Sequence, residues 1–226
     1  MSTIVFDIET VGVEFESLSE TTQETLLKRA ETDQEKKEVR ESLGLFPLTG
    51  EIVAIGMIEA ETDEGVVFYQ GAEKEEESFK EGNVDYVKCS EKEILDFFWQ
   101  KMRGCKQIVT FNGRGFDCPY IMIRSGINKI KPTKDLMPYR YDTKIHIDLF
   151  DQLSFYGATR RGFSLHMWCE AFGIISPKEE GVSGADVRGL YQQGKYVDIA
   201  RYCMRDVAAT KDLYLNWEKY VKPGWK

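Results

Sequence analysis

The chain has 226 residues, which is enough for one large domain, or at most two small ones, with a buried core. Apolar residues make up 42% of it and aromatic residues 12%, the composition of an ordinary soluble globular protein. The net charge of −8 argues against a protein that coats nucleic acid through bulk positive charge, although a local basic stripe could still hold a strand.

Cysteine usage and hydropathy predict a cytoplasmic protein. The five cysteines are widely spaced, and no C-x-x-C pair occurs, so neither a disulfide framework nor a structural zinc site is expected. Met1 leads directly into a predicted strand without an apolar leader, and no segment approaches transmembrane length. We therefore expect neither export nor membrane insertion.

The first predicted strand carries two carboxylates on one face, Asp7 and Glu9. Side chains two residues apart on a strand point the same way, while Val5, Phe6 and Ile8 supply the burial. Paired carboxylates at the edge of a core repel each other and lose hydration, which raises their pKa values unless a cation neutralises them. A hard divalent ion is the simplest remedy, and a solvated acidic strand face is the alternative.

A charged insertion follows this strand, over about residues 14–43. It is rich in helix formers but poor in apolar positions, which predicts solvated surface helices within a single domain of residues 1–226. A mobile lid is one interpretation, and an inert solvated helix pair is the favoured one.

The rest of the chain predicts strands that later alternate with helices. A turn between the second and third strands indicates a β-hairpin, an acidic loop is expected at residues 73–77, and Ser90 with Glu93 forms a capping box. This order indicates an α/β protein with a mixed sheet flanked by helices. The later predicted strands are residues 51–58, 66–69, 107–111 and 144–149, and the predicted helices begin near residues 91, 119, 165 and 198. Asp198 is a plausible N-cap of the last helix, whose predicted buried stripe is Ala200, Cys203, Val207, Tyr214 and Trp217.

Three further polar side chains lie on or beside predicted helices. Tyr202 and Asp206 are four residues apart on the last helix and hence on one face. Asp117 ends a strand-to-helix loop, where it could simply cap the helix that follows. Each of these acids alone is weak evidence for a site.

Together, three stretches resemble the three motifs of the DEDD superfamily of 3′-5′ exonucleases in order and approximate separation. They are residues 6–10 (FDIET), Asn112 with residues 116–120 (FDCPY), and residues 202–206 (YCMRD). Tyr202, four residues before Asp206, makes the chain similar to the DEDDy branch. The middle motif resembles the proofreading domain of B-family DNA polymerases. The resemblance runs from residue 4 to about residue 215 and implies a stand-alone exonuclease domain with a ribonuclease H-like fold.

The resemblance also implies a metal-dependent 3′-5′ exonuclease that uses two Mg²⁺ or Mn²⁺ ions. Asp7 would bridge the ions, Glu9 and Asp206 would complete the site that activates water, and Asp117 would hold the second ion through a water molecule. Tyr202 would orient the attacking water, since a phenol with a pKa near 10 is a poor base. The substrate would be single-stranded DNA or frayed 3′ ends. An RNA-directed enzyme and a non-catalytic binding module are the alternatives.

Candidate substrate contacts flank these acids. Thr10 would reach the terminal 3′-OH and Asn112 the terminal nucleotide, and Phe116 is a further candidate, although a core position is favoured for it. Arg160 and Arg161 would belong to an electrostatic track for a single strand, for which exposed solubilising charge is an equal alternative. The track would also include Lys129, Lys131, Lys134, Arg140 and Lys144.

The two histidines do not match the histidine motif of the superfamily's other branch, because His146 and His166 both lie far upstream of Asp206. His146 is expected to be a half-buried strand residue bonded to backbone or to a neighbour such as Asp148. Asp148 itself is a candidate for a supporting role in metal binding, in which it would contact the direct ligands and not the metal.

Overall fold

One seven-stranded mixed sheet organises the chain. The computed structural model describes residues 2–72, 78–176 and 186–222. The strands are β1 (Ser2–Gly12), β2 (Gly50–Glu59), β3 (Gly65–Tyr69), β4 (Ser78–Glu81), β5 (Val84–Lys88), β6 (Cys105–Thr110) and β7 (His146–Asp148). The helices are α1 (Glu20–Leu27), α2 (Asp33–Glu41), α3 (Glu91–Met102), α4 (Asp117–Ile127), α5 (Leu149–Leu153), α6 (Leu165–Phe172), α7 (Val187–Gln192) and α8 (Tyr196–Tyr220).

The strand order is β4-β5-β3-β2-β1-β6-β7. β1 runs antiparallel to β2 and parallel to β6, and β6 runs parallel to β7. The predicted hairpin is present, because β2 and β3 pair antiparallel. The predicted mixed sheet flanked by helices is therefore confirmed. The C-terminal ends of β1, β6 and β7 meet at one side of the sheet, which we call the carboxyl edge, and ligands commonly bind at such an edge in α/β proteins.

The alternation of β1 separates two hydrophobic cores. Phe6 and Ile8 pack with side chains of α3 and α4 on one face of the sheet. Val5 packs with side chains of α8 on the other face. Because alternate residues of a strand share a face, Asp7 and Glu9 lie on the α8 side.

The last helix begins two residues earlier than predicted. Lys195 occupies the N-cap position, so the predicted cap at Asp198 is wrong. Asp198 instead lies in the first turn, where a negative charge still interacts favourably with the helix dipole. The predicted buried stripe of this helix is confirmed at Ala200, Cys203, Val207, Tyr214 and Trp217.

α8 approaches the sheet closely at Gly56 of β2, which is paired with Asp7 of β1. A β-carbon at position 56 would lie 3.0 Å from Cγ2 of Val207 and 3.1 Å from Sγ of Cys203. The absence of a side chain at Gly56 therefore lets α8 pack directly beside Asp7.

A buried ion pair fixes α4 against the sheet. Arg124 of α4 donates to both carboxylate oxygens of Glu91, at 2.7 and 2.6 Å, and Glu91 also accepts the backbone N–H of Ile52 at 2.9 Å. Ser90 and Glu93 form the predicted capping box immediately beside this pair. The start of α3, the start of β2 and the body of α4 are thus joined, and this holds Asp117, the first residue of α4, in place.

The charged insertion consists of solvated helices with a buried end. Neither α1 nor α2 has a buried residue, as predicted. Leu43, however, is fully buried, and a β-carbon at Gly44 would lie 2.9 Å from the backbone nitrogen of Gly12. The insertion therefore returns to the sheet through direct backbone packing against β1.

Several short elements were not predicted, namely β4, β5, α5 and α7. β4 carries no buried residue and β5 only one, Tyr86, so the hydrophobic alternation that marks a half-buried strand is weak. The acidic loop predicted at residues 73–77 lies outside the described residues.

The substitution Gly56→Ala should lower the free energy of unfolding by roughly 1–2 kcal/mol, because overpacking against Val207 and Cys203 outweighs the entropic gain of replacing a strand glycine. Urea denaturation measures the change. Gly104→Ala is the matched control, since a β-carbon there would meet no atom within 4 Å. An equal stability for both variants would show that α8 does not approach the sheet as closely as described.

Candidate active site

Three carboxylates from distant parts of the chain converge between β1 and α8. Asp7, Glu9 and Asp206 each place a carboxylate oxygen within 4.8 Å of the others. Glu9 is buried, and the other two are partly buried. The strand periodicity brings the first two together, and the close approach of α8 at Gly56 brings the third.

Asp117 lies against the same strand. Its Oδ1 accepts the backbone N–H of Ile8 at 3.1 Å, so its carboxylate is bound to the residue between Asp7 and Glu9. The N-cap position of α4 is occupied by Phe116, and no side chain caps this helix end. The alternative that Asp117 serves as the helix cap is therefore wrong.

The four acids disfavour one another's ionisation. Burial raises the pKa values of Asp7 and Glu9 well above their usual range, and the charges of Asp117 and Asp206 raise them further. Burial also raises the pKa of Asp117 to about 7. Because the strongest charged neighbours of Asp7 are all acids, a divalent cation would relieve the repulsion. Clustered carboxylate oxygens fit Mg²⁺ or Mn²⁺, which prefer hard oxygen ligands.

Tyr202 is buried one turn before Asp206 on α8. Burial raises the pKa of its phenol, and the negative charge of Asp206 and a hydrogen bond to that carboxylate raise it further. The phenol therefore stays protonated at neutral pH, so it can donate a hydrogen bond but cannot act as a base.

Asp148 holds the loop that leads to Asp117. Its carboxylate accepts the backbone N–H groups of Asn112 at 2.8 Å, Arg114 at 2.9 Å and Phe150 at 3.0 Å. Asn112 has a φ of 61°, in the left-handed region, and its side chain is exposed. Asp148 thus shapes the loop before α4, and its charge also raises the pKa of Asp117.

His146 is fully buried, and the prediction of a half-buried residue is wrong. Its Nδ1 lies 3.0 Å from the carbonyl oxygen of Leu136, and its Nε2 lies 2.8 Å from the hydroxyl of Thr110. The backbone contact agrees with the prediction, while the neighbour is Thr110 and not Asp148. Burial lowers the pKa of His146 to about 4, so the ring is neutral and its role is structural.

A cavity of about 950 Å³ opens beside Glu9 at the end of β1. The hydroxyl of Thr10, which borders it, donates to the carbonyl oxygen of Gly44 at 2.8 Å. Phe116 also borders the cavity and is half-buried, with its ring 5.3 Å from that of Tyr120. Thr10 and Phe116 therefore share one cavity next to the acids.

Sequence reasoning missed three cationic residues of this cavity, Lys37, Arg40 and Arg188. Arg188 of α7 donates to the carbonyl oxygen of Arg40 at 3.0 Å, and Arg40 lies over the ring of Phe15 at 4.0 Å. The solvated end of the insertion is thus part of the wall. The sequence did contain a signal for two of these cations, because Lys37 and Arg40 are three residues apart and therefore share a helix face.

Arg160 and Arg161 are exposed on the loop between α5 and α6, outside the residues that line the cavity. Lys129, Lys131 and Lys144 are also exposed. Lys134 donates to the carbonyl oxygen of Cys105 at 2.8 Å.

The comparison with protein families decides the relationship of this chain. The model of a family described as "Predicted 3'-5' exonuclease related to the exonuclease domain of PolB" matches residues 50–222. The chain belongs to this family. The matched region contains Asp117, Tyr202 and Asp206, whereas Asp7 and Glu9 precede it. A search of curated proteins found no match.

Membership of the PolB-related exonuclease family confirms the relationship predicted from the motifs, and the mixed sheet flanked by helices agrees with a ribonuclease H-like fold. Within residues 2–72, 78–176 and 186–222, no helix combines the length and apolar character needed to cross a membrane.

Mg²⁺ or Mn²⁺ should raise the melting temperature of this protein, and more at about pH 8 than at about pH 5. The raised pKa of Asp117 means that the folded state binds more protons than the unfolded state between about pH 4 and pH 7, so the cation-free protein loses stability as the pH rises. At about 100 times its Kd, a cation stabilises by about 2.7 kcal/mol, or about 5–10 °C for a chain of this size. Differential scanning calorimetry measures the shift.

The control for this measurement is Asp7→Asn with the same salts, together with NaCl at matched ionic strength. The variant should lose most of the cation-induced shift. An equal shift in the variant would mean that the ions bind elsewhere.

Proposed function

We propose that this protein is a metal-dependent 3′-5′ exonuclease of the DEDDy type, which releases nucleoside 5′-monophosphates from single-stranded DNA or frayed 3′ ends. The observation that carries the proposal is the convergence of Asp7, Glu9 and Asp206 within 4.8 Å, with Asp117 bound to the strand between the first two. This arrangement occurs in a chain that belongs to an exonuclease family.

The acids have separate roles in this proposal. Asp7, Glu9, Asp206 and Asp117 would hold the two cations, with Asp7 contributing to both, Glu9 and Asp206 to the first, and Asp117 to the second. Two divalent cations, when bound, would supply an activated water and stabilise the leaving 3′ oxygen. The repulsion among the four acids supports the assignment, because it is relieved when cations are held.

Tyr202 orients the attacking water by hydrogen bonding, while its own proton is held by the Asp206 carboxylate. Its pKa is raised by burial and by Asp206, so the phenol keeps its proton throughout the reaction. A phenol that stays protonated can position the water but cannot remove a proton from it as a general base.

The terminal nucleotide would occupy the cavity beside Glu9. The hydroxyl of Thr10 is already bonded to Gly44, so we assign the contact with the 3′-OH to the backbone of Thr10, where the pairing with β2 shifts register. Phe116 would bound the nucleotide on one side of the cavity. Asn112 is exposed on the loop before α4 and is not among the residues that line the cavity, so we assign it a contact outside the cavity.

Two alternatives are weighed against this proposal. A non-catalytic binding module is disfavoured, because all four acids and the tyrosine are present and four of these five groups have strongly perturbed pKa values. An RNA-directed enzyme would use the same acids, since they act on phosphate and not on the base. The five cysteines are all free thiols, which supports the cytoplasm as the setting.

Asp7→Asn should reduce hydrolysis by on the order of 10³-fold or more, because several kcal/mol of charge stabilisation in the transition state depend on this residue. The assay incubates the protein and Mn²⁺ with single-stranded DNA and RNA of equal length, labelled at the 3′ or the 5′ end. A 3′ label should appear at once as a mononucleotide, and a 5′ label should give a ladder of shortening products.

Asp212→Asn is the matched control, because this acid is exposed on the same helix as Asp206. Its activity should equal that of the wild type. Undiminished turnover by Asp7→Asn would reject the role of that acid, and mononucleotides released first from the 5′ end would reject the polarity. The ratio of rates on DNA and RNA decides between the two substrate classes.

Tyr202→Phe should reduce hydrolysis by only about 10- to 100-fold, because the loss of one or two hydrogen bonds raises the activation free energy by about 1–3 kcal/mol in total. Single-turnover rates measure the loss. Tyr214→Phe, which alters another buried tyrosine of α8, controls for stability and should keep full activity. A loss as large as that of Asp7→Asn would show that the phenol does more than orient water.

A further inference from the structure

We propose that a group of three tyrosines, Tyr139, Tyr141 and Tyr156, binds the body of a single-stranded nucleic acid by stacking on its unpaired bases. We call this group the tyrosine platform. The proposal rests on the proposed function for the position of the 3′ end, whereas the binding itself requires no catalysis.

The rings of the platform lie in series and are tilted by 57° and 48° against one another, with Tyr139 and Tyr141 exposed and Tyr156 half-buried. The centroids of Tyr139 and Tyr141 are 5.5 Å apart, and those of Tyr141 and Tyr156 are 4.6 Å apart. Tyr139 is 74% exposed and Tyr141 is 58% exposed. Exposed aromatic rings in series are the stacking surface that proteins offer to single strands, because every base has an aromatic face.

The backbone beside the platform is held in a costly conformation. Phe155 has a φ of 48° and Tyr156 a φ of 56°, in the left-handed region that bulky side chains avoid. The N–H of Tyr156 donates to the carbonyl oxygen of Asp151 at 2.8 Å, and Gln152 donates to the hydroxyl of Tyr156 at 2.7 Å. Phe155 is 56% exposed, so this conformation displays aromatic side chains to solvent instead of burying them.

Contacts through Arg114 connect the segment that carries the platform to the loop before Asp117. Arg114, three residues before Asp117, donates from its side chain to the carbonyl oxygen of Pro138 at 2.9 Å. The backbone N–H of Arg114 is bound to Asp148 at the end of β7, and α5 and then Tyr156 follow that strand. The ends of β1, β6 and β7 lie side by side, so a single-stranded nucleic acid that leaves the acids along this edge in the direction of β7 would reach the platform.

The segment that carries the platform is basic within an acidic chain. Residues 129–161 contain seven Lys or Arg and four Asp, a net charge of +3, whereas the whole chain has −8. Two of the four acids, Asp148 and Asp151, are buried, and Asp151 is paired with Arg140. The cations Arg160 and Arg161 are exposed, so the surface charge complements a phosphate backbone.

The test measures binding without hydrolysis, by fluorescence anisotropy of labelled oligothymidylate and oligouridylate in EDTA, in an Asp7→Asn background. Tyr139→Ala and Tyr141→Ala should each weaken the affinity roughly 10-fold. Tyr139→Phe and Tyr141→Phe should retain the affinity, because the ring and not the hydroxyl stacks. Tyr220→Ala, which removes another exposed tyrosine at the end of α8, is the matched control and should have no effect.

The salt dependence separates charge from stacking. Arg160→Gln and Arg161→Gln should each reduce the slope of log affinity against log salt by about 0.7, the value for one phosphate contact on a single strand. The two tyrosine-to-alanine variants should lower the affinity with the slope unchanged. A fully paired duplex should be insensitive to Tyr139→Ala and Tyr141→Ala, because its bases are already stacked.

The outcomes distinguish this proposal from the proposed nuclease activity. An unchanged affinity in the Tyr139→Ala, Tyr141→Ala double variant, with an unchanged melting temperature, would overturn the platform, even if the wild type digests 3′ ends. An equal loss of affinity for duplex would overturn base stacking. Tyrosine-dependent binding by a wild type that hydrolyses nothing would support the platform and refute the nuclease.

Discussion

The structure depends on the packing of α8 against the centre of the sheet, which forces mutually repelling acids together. Val207 and Cys203 meet β2 at Gly56, and this contact places Asp206 beside Asp7 and Glu9. Burial and like charge both oppose ionisation there. The cores on the two faces of the sheet supply the free energy that holds the acids in this unfavourable arrangement, as is usual for functional sites.

The carboxyl edge divides into regions of different chemistry around these acids. At the end of β1, the cavity is walled partly by Lys37 and Arg40 of the insertion. Beyond β7, the surface carries exposed tyrosines and arginines. The acids lie between two regions that carry cationic side chains, and on the proposed function these regions would contact the phosphate backbone although the chain has a net charge of −8.

The sequence predicted those features that depend on local periodicity. The two-residue period of β1 places Asp7 and Glu9 on one face, and the period of α8 gives its buried stripe and the shared face of Tyr202 and Asp206. The motif order supplied the relationship to an exonuclease family. Features that depend on close backbone contact between distant segments were not predictable, since nothing near Gly44 indicates that it packs on Gly12. The sequence predicted the wrong N-cap for α8, because an aspartate such as Asp198 is favourable both at the N-cap and in the first turn of a helix.

The hydrogen bond from the backbone of Ile8 to Asp117 has a consequence for how cations would enter. It ties the middle motif to the first strand through the protein alone, so the position of Asp117 does not depend on an ion. On the proposed function, an arriving cation would meet Asp117 already held beside β1 and would have to lose part of its water shell to bind. Because Mg²⁺ loses its bound water reluctantly, it would enter more slowly than a softer ion, although both would meet the same carboxylate oxygens.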